Sequence, residues 1–188
     1  VLSVRIFDAS QAREIAGSDL QLSAGSPPPG SSFISSGVPP TWEDQTGFVL
    51  NIATRPHFED PDGSPFFCSF IGALTVLGQP AQVGDEVAVF DADGNLCGHA
   101  RVTVPGQFGV LAVYGDDPGT TDIQEGPADG DPLSFKVYDK STGVVREGNV
   151  SAGNPQGSFS ASPIPPIYTE DAAYALNVDV QYEYQSVS

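Results

Sequence analysis

Apolar and polar positions alternate most regularly over residues 84–115, GDEVAVFDADGNLCGHARVTVPGQFGVLAVYG. Val87 and Val89 alternate with Glu86 and Ala88, the period of two that marks a half-buried strand. Asp91-Ala92-Asp93-Gly94-Asn95 supplies turn chemistry, with Gly94 free to take a positive φ. Leu96, Gly98, Ala100, Val102 and Val104 then alternate with Cys97, His99, Arg101 and Thr103. Pro105-Gly106 makes the next turn, and Phe108 to Tyr114 form a third run. The pattern predicts a three-stranded meander.

Comparable runs flank it. In VLSVRIF, residues 1–7, Leu2, Val4 and Ile6 share one face. Residues 9–18 read as one or two helical turns, and Leu20 to Leu22 as a short strand. The tract AGSPPPGSSFISSGVPP, 24–40, favours an extended polyproline arm and cannot form a central strand. Gly47 to Ala53 is the next strand, with Phe48, Leu50 and Ile52 on one face. FFCSFIGALTVL, 66–77, is apolar on both faces and should be central or covered on both sides. Beyond the acidic loop 115–131, Leu133, Phe135 and Val137 alternate with Ser134, Lys136 and Tyr138, and Val144 to Glu147 return after a turn. Residues 148–168 are rich in Gly, Ser and Pro, and Pro163, Pro165 and Pro166 should break regular pairing. The last run, Ala173 to Tyr184, alternates strongly.

About eight or nine strands with little helix predict an all-β sandwich or barrel. The expected division is an N-terminal strand and arm over 1–46 and a body over 47–188, one structural domain overall. One internal echo stands out: Gly84-Asp85 opens a strand ending in Phe90-Asp91, and Gly130-Asp131 opens one ending in Tyr138-Asp139. This predicts two similar hairpins and not a solenoid, because no fixed period recurs.

Charge narrows the functions. Twenty-four acidic residues against seven basic ones give a net charge of −17, which would repel a phosphate backbone and argues against nucleic acid as a partner. Such a surface suits solvation in a salty medium, and it suits Ca²⁺, which prefers carboxylate and carbonyl oxygens. No apolar run is long enough to span a membrane. A start at Val1, with no basic and then apolar leader, reads as a processed mature N-terminus or a fragment boundary, and the expectation is a secreted or cell-surface chain whose signal peptide has been removed.

Three groups of residues are candidate sites. Asp91, Asp93 and Asn95 have the i, i+2, i+4 spacing that opens a calcium loop, although a hairpin turn explains the same residues. Asp116, Asp117, Asp122 and Glu125 lie on a loop long enough to wrap an ion. Trp42 and Phe58, near loops, offer flat rings for stacking on carbohydrate. Cys68 and Cys97 would form a disulfide in an oxidising compartment, the expected case, or two buried thiols in a reducing one. No nucleophile elbow, zinc-protease helix motif or phosphate loop occurs, so no catalytic residue is assigned and no enzyme is expected.

From Gly84 to Asp139 the chain resembles a module found in secreted and cell-surface proteins of bacteria. The residues that carry the likeness are Gly84 to Asp91, Gly94, Cys97-Gly98, Val113 to Pro118, Glu125-Gly126 and Leu133 to Asp139. The resemblance implies an extracellular immunoglobulin-like or jelly-roll sandwich with an adhesive or architectural role. It brings no catalytic residues.

The resulting expectation is a structural subunit of a surface fibre or homopolymer. Its first strand would be donated to a neighbour's sheet edge, with Leu2, Val4 and Ile6 filling the neighbour's groove and 24–40 as the reaching linker. That strand could equally pair within its own domain. The alternative is a calcium-dependent carbohydrate-binding or adhesion module. The partners expected are other copies of the chain, or glycans.

Overall fold

The structure is a computed structural model, and it describes residues 5–8, 13–16, 20–35, 38, 47–54, 56–61, 63–120 and 126–181. The fold is all-β; no helix lies among the described residues, and so none long and apolar enough to cross a membrane. The chain divides into two compact units, Val1–Pro56 and His57–Ser188.

In the first unit, β1 (Arg5–Asp8) and β2 (Arg13–Ala16) form an antiparallel hairpin in which Ile6 stands opposite Ile15. The helical turns expected over 9–18 give way to β2 where described, because pairing overrides the helix preference of its Arg, Glu and Ala. A second sheet holds β3 (Leu20–Ala24), β4 (Ile34–Ser35) and β5 (Phe48–Thr54), in the order β3-β5-β4. The expected boundary after residue 46 moves, because β5 pairs with β3 and β4 and so belongs to the first unit. The proline-rich tract is also more tied down than a free linker. Gly25 N donates to Val49 O at 3.1 Å, Ile34 N to Gly47 O at 2.9 Å, and Ser35 Oγ to Gly25 O at 2.8 Å. It carries the chain from one side of β5 to the other.

The second unit is a sandwich. Its strands are β6 (Phe67–Ile71), β7 (Leu74–Val76), β8 (Gln79–Pro80), β9 (Glu86–Phe90), β10 (Leu96–Arg101), β11 (Leu111–Tyr114), β12 (Ser134–Asp139), β13 (Val144–Glu147), β14 (Asn149–Ala152), β15 (Ser160–Ala161) and β16 (Ala173–Val180). Sheet I is antiparallel, in the order β10-β9-β12-β13. Sheet II is mixed. β16 runs parallel to β6, β7 and β15 and antiparallel to β14, while β11 flanks β6 and β8 flanks β7.

Sixteen strands are described where about eight or nine were expected, and the excess comes from breaks and short bridges. β6 and β7 pair with β16 in one uninterrupted register, Ser69 to Ala173 and Leu74 to Val178, and are a single rank broken at Gly72. A Cβ on Gly72 would stand 1.7 Å from the Leu176 carbonyl oxygen. The rank breaks at this close approach, and residues 72–73 separate β6 from β7.

The core lies between the sheets. Val87, Val89, Phe135 and Val137 of sheet I face Phe70, Leu74, Leu111, Val113, Leu176 and Val178 of sheet II, all at most 2 % exposed. The rings of Phe70 and Phe135 meet edge to face across the gap, 5.7 Å between centroids.

The echo between the two hairpins is a repeated turn. Asp85 N donates to Gln82 O and Asp131 N to Ala128 O, both at 3.0 Å, around Gly84 (φ 98°) and Gly130 (φ 91°). Each turn is type II-like, which requires a positive φ at its third residue. Each aspartate then accepts a bond back from the amide that starts the turn, Gln82 N at 2.7 Å and Ala128 N at 2.9 Å. At the far ends, buried Asp91 and Asp139 cap the turns that leave the strands. Asp139 accepts from the amides of Ser141 and Thr142 and from both hydroxyls. Burial pushes this carboxyl up, but those hydrogen bonds together outweigh it and hold its pKa below the ordinary 3.8.

Two outcomes follow. Gly72→Ala should cost about 3 kcal/mol or more in urea unfolding, since the clash is with backbone and not with a side chain that can swing away. For Asp139, the depressed pKa stabilises the fold fully above 3.8 and the benefit is lost as pH falls through the lower folded value. Asp139→Asn should therefore flatten the acid limb of a stability-against-pH curve.

Candidate functional site

The outer face of sheet I is built around a buried carboxylate. On β9, Val87 and Val89 point into the core, so Glu86 and Ala88 point outward, yet Glu86 is only 1 % exposed. The segment 57–61 covers it. His57 N and Phe58 N donate to Glu86 Oε2 at 2.8 and 3.1 Å, and Arg101 Nε stands 3.9 Å from Glu86 Oε1. The His57 ring stacks on Tyr138 at 4.1 Å, Phe58 meets Phe90 edge-on at 6.1 Å, and Lys136 Nζ lies 5.0 Å over the Phe90 ring. His99 Nδ1 lies 3.1 Å from Asp60 Oδ1, within ion-pair reach but without the alignment of a hydrogen bond. With two amides and a guanidinium on it, Glu86 is an anchor for the covering segment. Phe58, expected to offer a stacking face, is half-buried in this cover. Trp42 lies outside the described residues.

The acidic turns are organised by their own hydrogen bonds. Asp91 Oδ1 accepts from Asp93 N at 3.0 Å and Asn95 N at 2.8 Å, and Oδ2 from Asn95 Nδ2 at 2.9 Å. Asp117 Oδ1 accepts from Gly119 N at 2.7 Å, and Asp116 N donates to Pro127 O at 3.2 Å. Asp122 and Glu125 fall outside the described residues, and among those described no three His, Cys, Asp or Glu side chains gather closely enough to hold a metal ion. Of the expected interface residues, Leu2 and Val4 are also outside, and Ile6 sits in the β1–β2 hairpin.

The expected disulfide is corrected: Cys68 and Cys97 are free, buried thiols. Cys68 lies on β6 of sheet II and Cys97 on β10 of sheet I, both facing the core. Burial keeps both thiols protonated, and the thiolate is the form that enters disulfide exchange. Cys97 Sγ instead donates to Asn95 O at 3.2 Å.

The feature that sequence reading missed is an open edge. β10 packs beside β11, which closes one side of the sandwich. On the other side β13 pairs with β12, and no strand among the described residues pairs its second edge. Val144 and Val145 on it are exposed, 43 % and 37 %, and a depression of about 800 Å³ runs along it between Lys136 and Gln181. Arg146 Nη1 is buried there with no hydrogen-bond partner. Lys136 pairs with Glu147 at 3.5 Å, but Arg146 has no such counter-charge among the described residues. The one available signal was Val-Val-Arg-Glu, a short apolar strand with neither Pro nor Lys to guard it.

Burial raises the Cys68 thiol from the ordinary 9.0 to about 11, and burial with the Asp91 charge raises Cys97 to about 12. Both should resist a thiol reagent in the folded protein and react once denaturant is added. Because folding favours the protonated thiols, their stabilisation is complete below 9.0 and is lost as pH rises through about 11. Comparison of the chain with known protein families, with curated proteins and with solved structures finds no match.

Proposed function

We propose that the protein is a non-catalytic, extracellular structural subunit that joins to further copies of itself by strand addition at the open edge of β13. The observation that carries this reading is the β13 edge, unpaired among the described residues, with Arg146 Nη1 buried beside it and without a hydrogen-bond partner. An exposed edge is a template for another strand, and a buried donor left without an acceptor favours whatever brings one. The incoming strand is the N-terminal one of a second copy. Its hairpin with β2 has four residues to a side, and a two-stranded ribbon of that size is marginal in water until a third strand or a packed face supports it.

The cations are unevenly placed along the chain. Arg5, Arg13 and Arg55 belong to the first unit, and the other four cations, Arg101, Lys136, Lys140 and Arg146, lie on sheet I or its turn. These cations offset part of the repulsion between two chains of net charge −17, a repulsion that added salt should screen.

Light scattering across a concentration series tests this. The intact chain should assemble, deletion of residues 1–8 should leave monomers, and Arg146→Glu should weaken assembly without lowering thermal stability. A chain that stays monomeric throughout, or assemblies indifferent to both changes, would overturn the proposal.

A further inference from the structure

The face of sheet II that points away from the core carries a cavity of about 430 Å³, within the range of small-molecule sites. Its floor is Ile71 and Ala73 on the broken rank and Ala175 and Asn177 on β16. These positions alternate with Phe70, Leu74, Leu176 and Val178 of the core, so the floor is the opposite face of the same strands.

Two loops wall it, and both are tied to the floor by backbone. Leu74 N donates to Gly106 O at 2.9 Å and Phe108 N to Gly72 O at 3.4 Å, which fixes the wall bearing Gln107 and Val110. Gly153 N donates to Ala175 O at 2.9 Å, and Gln156 and Phe159 exchange two bonds of 3.0 Å, which fixes the wall bearing Asn154 and Gln156. The cavity is thus formed by the fold before any ligand arrives, which lowers the ordering cost of binding.

We propose that this cavity binds a neutral saccharide. No charged side chain lines it, in a chain with 24 acidic residues. What lines it instead is four carboxamides: Gln107, Asn154, Gln156 and Asn177. Each offers donors and an acceptor on one group, the complement of hydroxyls that also donate and accept. Asn177 Oδ1 takes the Ala73 amide at 3.2 Å, which leaves its NH₂ to donate, and the side-chain amides of Gln107, Asn154 and Gln156 have no partner among the described residues. Ile71, Ala175 and Val110, the last 67 % exposed, give an apolar strip for the C–H face of a sugar ring. An anionic sugar finds no cation here: sheet II and its loops hold no Lys or Arg. With no aromatic platform in the lining, affinity falls on the order of millimolar.

The test is a titration of the ¹⁵N-labelled whole chain, followed by amide spectra, with cellobiose, lactose, maltose and N,N′-diacetylchitobiose to tens of millimolar. Glucuronate and glycerol serve as the charged and the non-specific polyol controls. At least one neutral disaccharide should shift the side-chain amides of Gln107, Asn154, Gln156 and Asn177 saturably, and both controls should not. Gln156→Ala should weaken that binding about fivefold or more, and Val110→Asp, a surface change that leaves the fold intact, should do the same. Shifts that never saturate, that glycerol reproduces, that map elsewhere, or that survive both substitutions would overturn the proposal.

Discussion

Strand β16 carries the sandwich. Four other strands, β6, β7, β14 and β15, take their sheet II pairing from it, and its inward residues Leu176, Val178 and Val180 sit in the core. Its pairing with β6 joins Ser69 to Ala173, more than half the chain apart. Parallel neighbours cannot be joined by a tight turn, so everything between them must be threaded first, at a loop-closure cost. Sheet I is the reverse case. Its strands are antiparallel, and β9 with β10 and β12 with β13 close through short turns. The physical expectation is that sheet I provides local order, and that the arrival of β16 converts it into a closed core.

The acidic composition takes on a different meaning once the turns are seen. Asp85, Asp91 and Asp139 are buried, and with Asp131 they accept backbone amides at the ends of β9 and β12. A carboxylate is stable in such a place because the amides it caps have no other partner in the turn. Asp91, which the sequence offered as an ion ligand, therefore does structural work in a corner of sheet I, as Asp85, Asp131 and Asp139 do. The same use of charge appears at Glu86, where a carboxylate on the outer face of sheet I holds down the segment that covers it.

The alternation of apolar residues made β9, β10, β11, β12 and β16 legible, because each has one face in the core, while β13 was legible as the return of a hairpin after the turn 139–143. β14 was hidden for the opposite reason: only Val150 of its four residues packs against the core, so its pairing with β16 rests on backbone bonds that leave no mark on the pattern. β15, two exposed residues beside a proline-rich stretch, was hidden in the same way. The outward face of β9 read as solvated because Glu86 is charged; its cover comes from a segment 29 residues earlier, and no local signal announces it. The cysteines were legible as buried but not as unbonded, since residue type does not reveal whether two core thiols meet. The cavity on sheet II could not be read at all, because its residues come from four separate stretches of small and amide side chains.

These features make the two faces of the sandwich chemically unlike. Every cation of the second unit lies on sheet I or its turn, while sheet II and its loops have none. In a chain this acidic, that partition separates two kinds of recognition. The sheet I edge offers backbone unpaired among the described residues, exposed valines and a buried Arg146 Nη1 without an acceptor, all of which suit an extended incoming strand. The sheet II face repels anions through the surrounding field and presents uncharged amides over an apolar strip, which suits a neutral ligand held by hydroxyls. Because β13 and the floor of the cavity belong to opposite sheets, occupation of one leaves the other free. A subunit built into a polymer through its edge would then still present its uncharged cavity, repeated once per copy, and repetition raises the effective strength of a site that is weak alone.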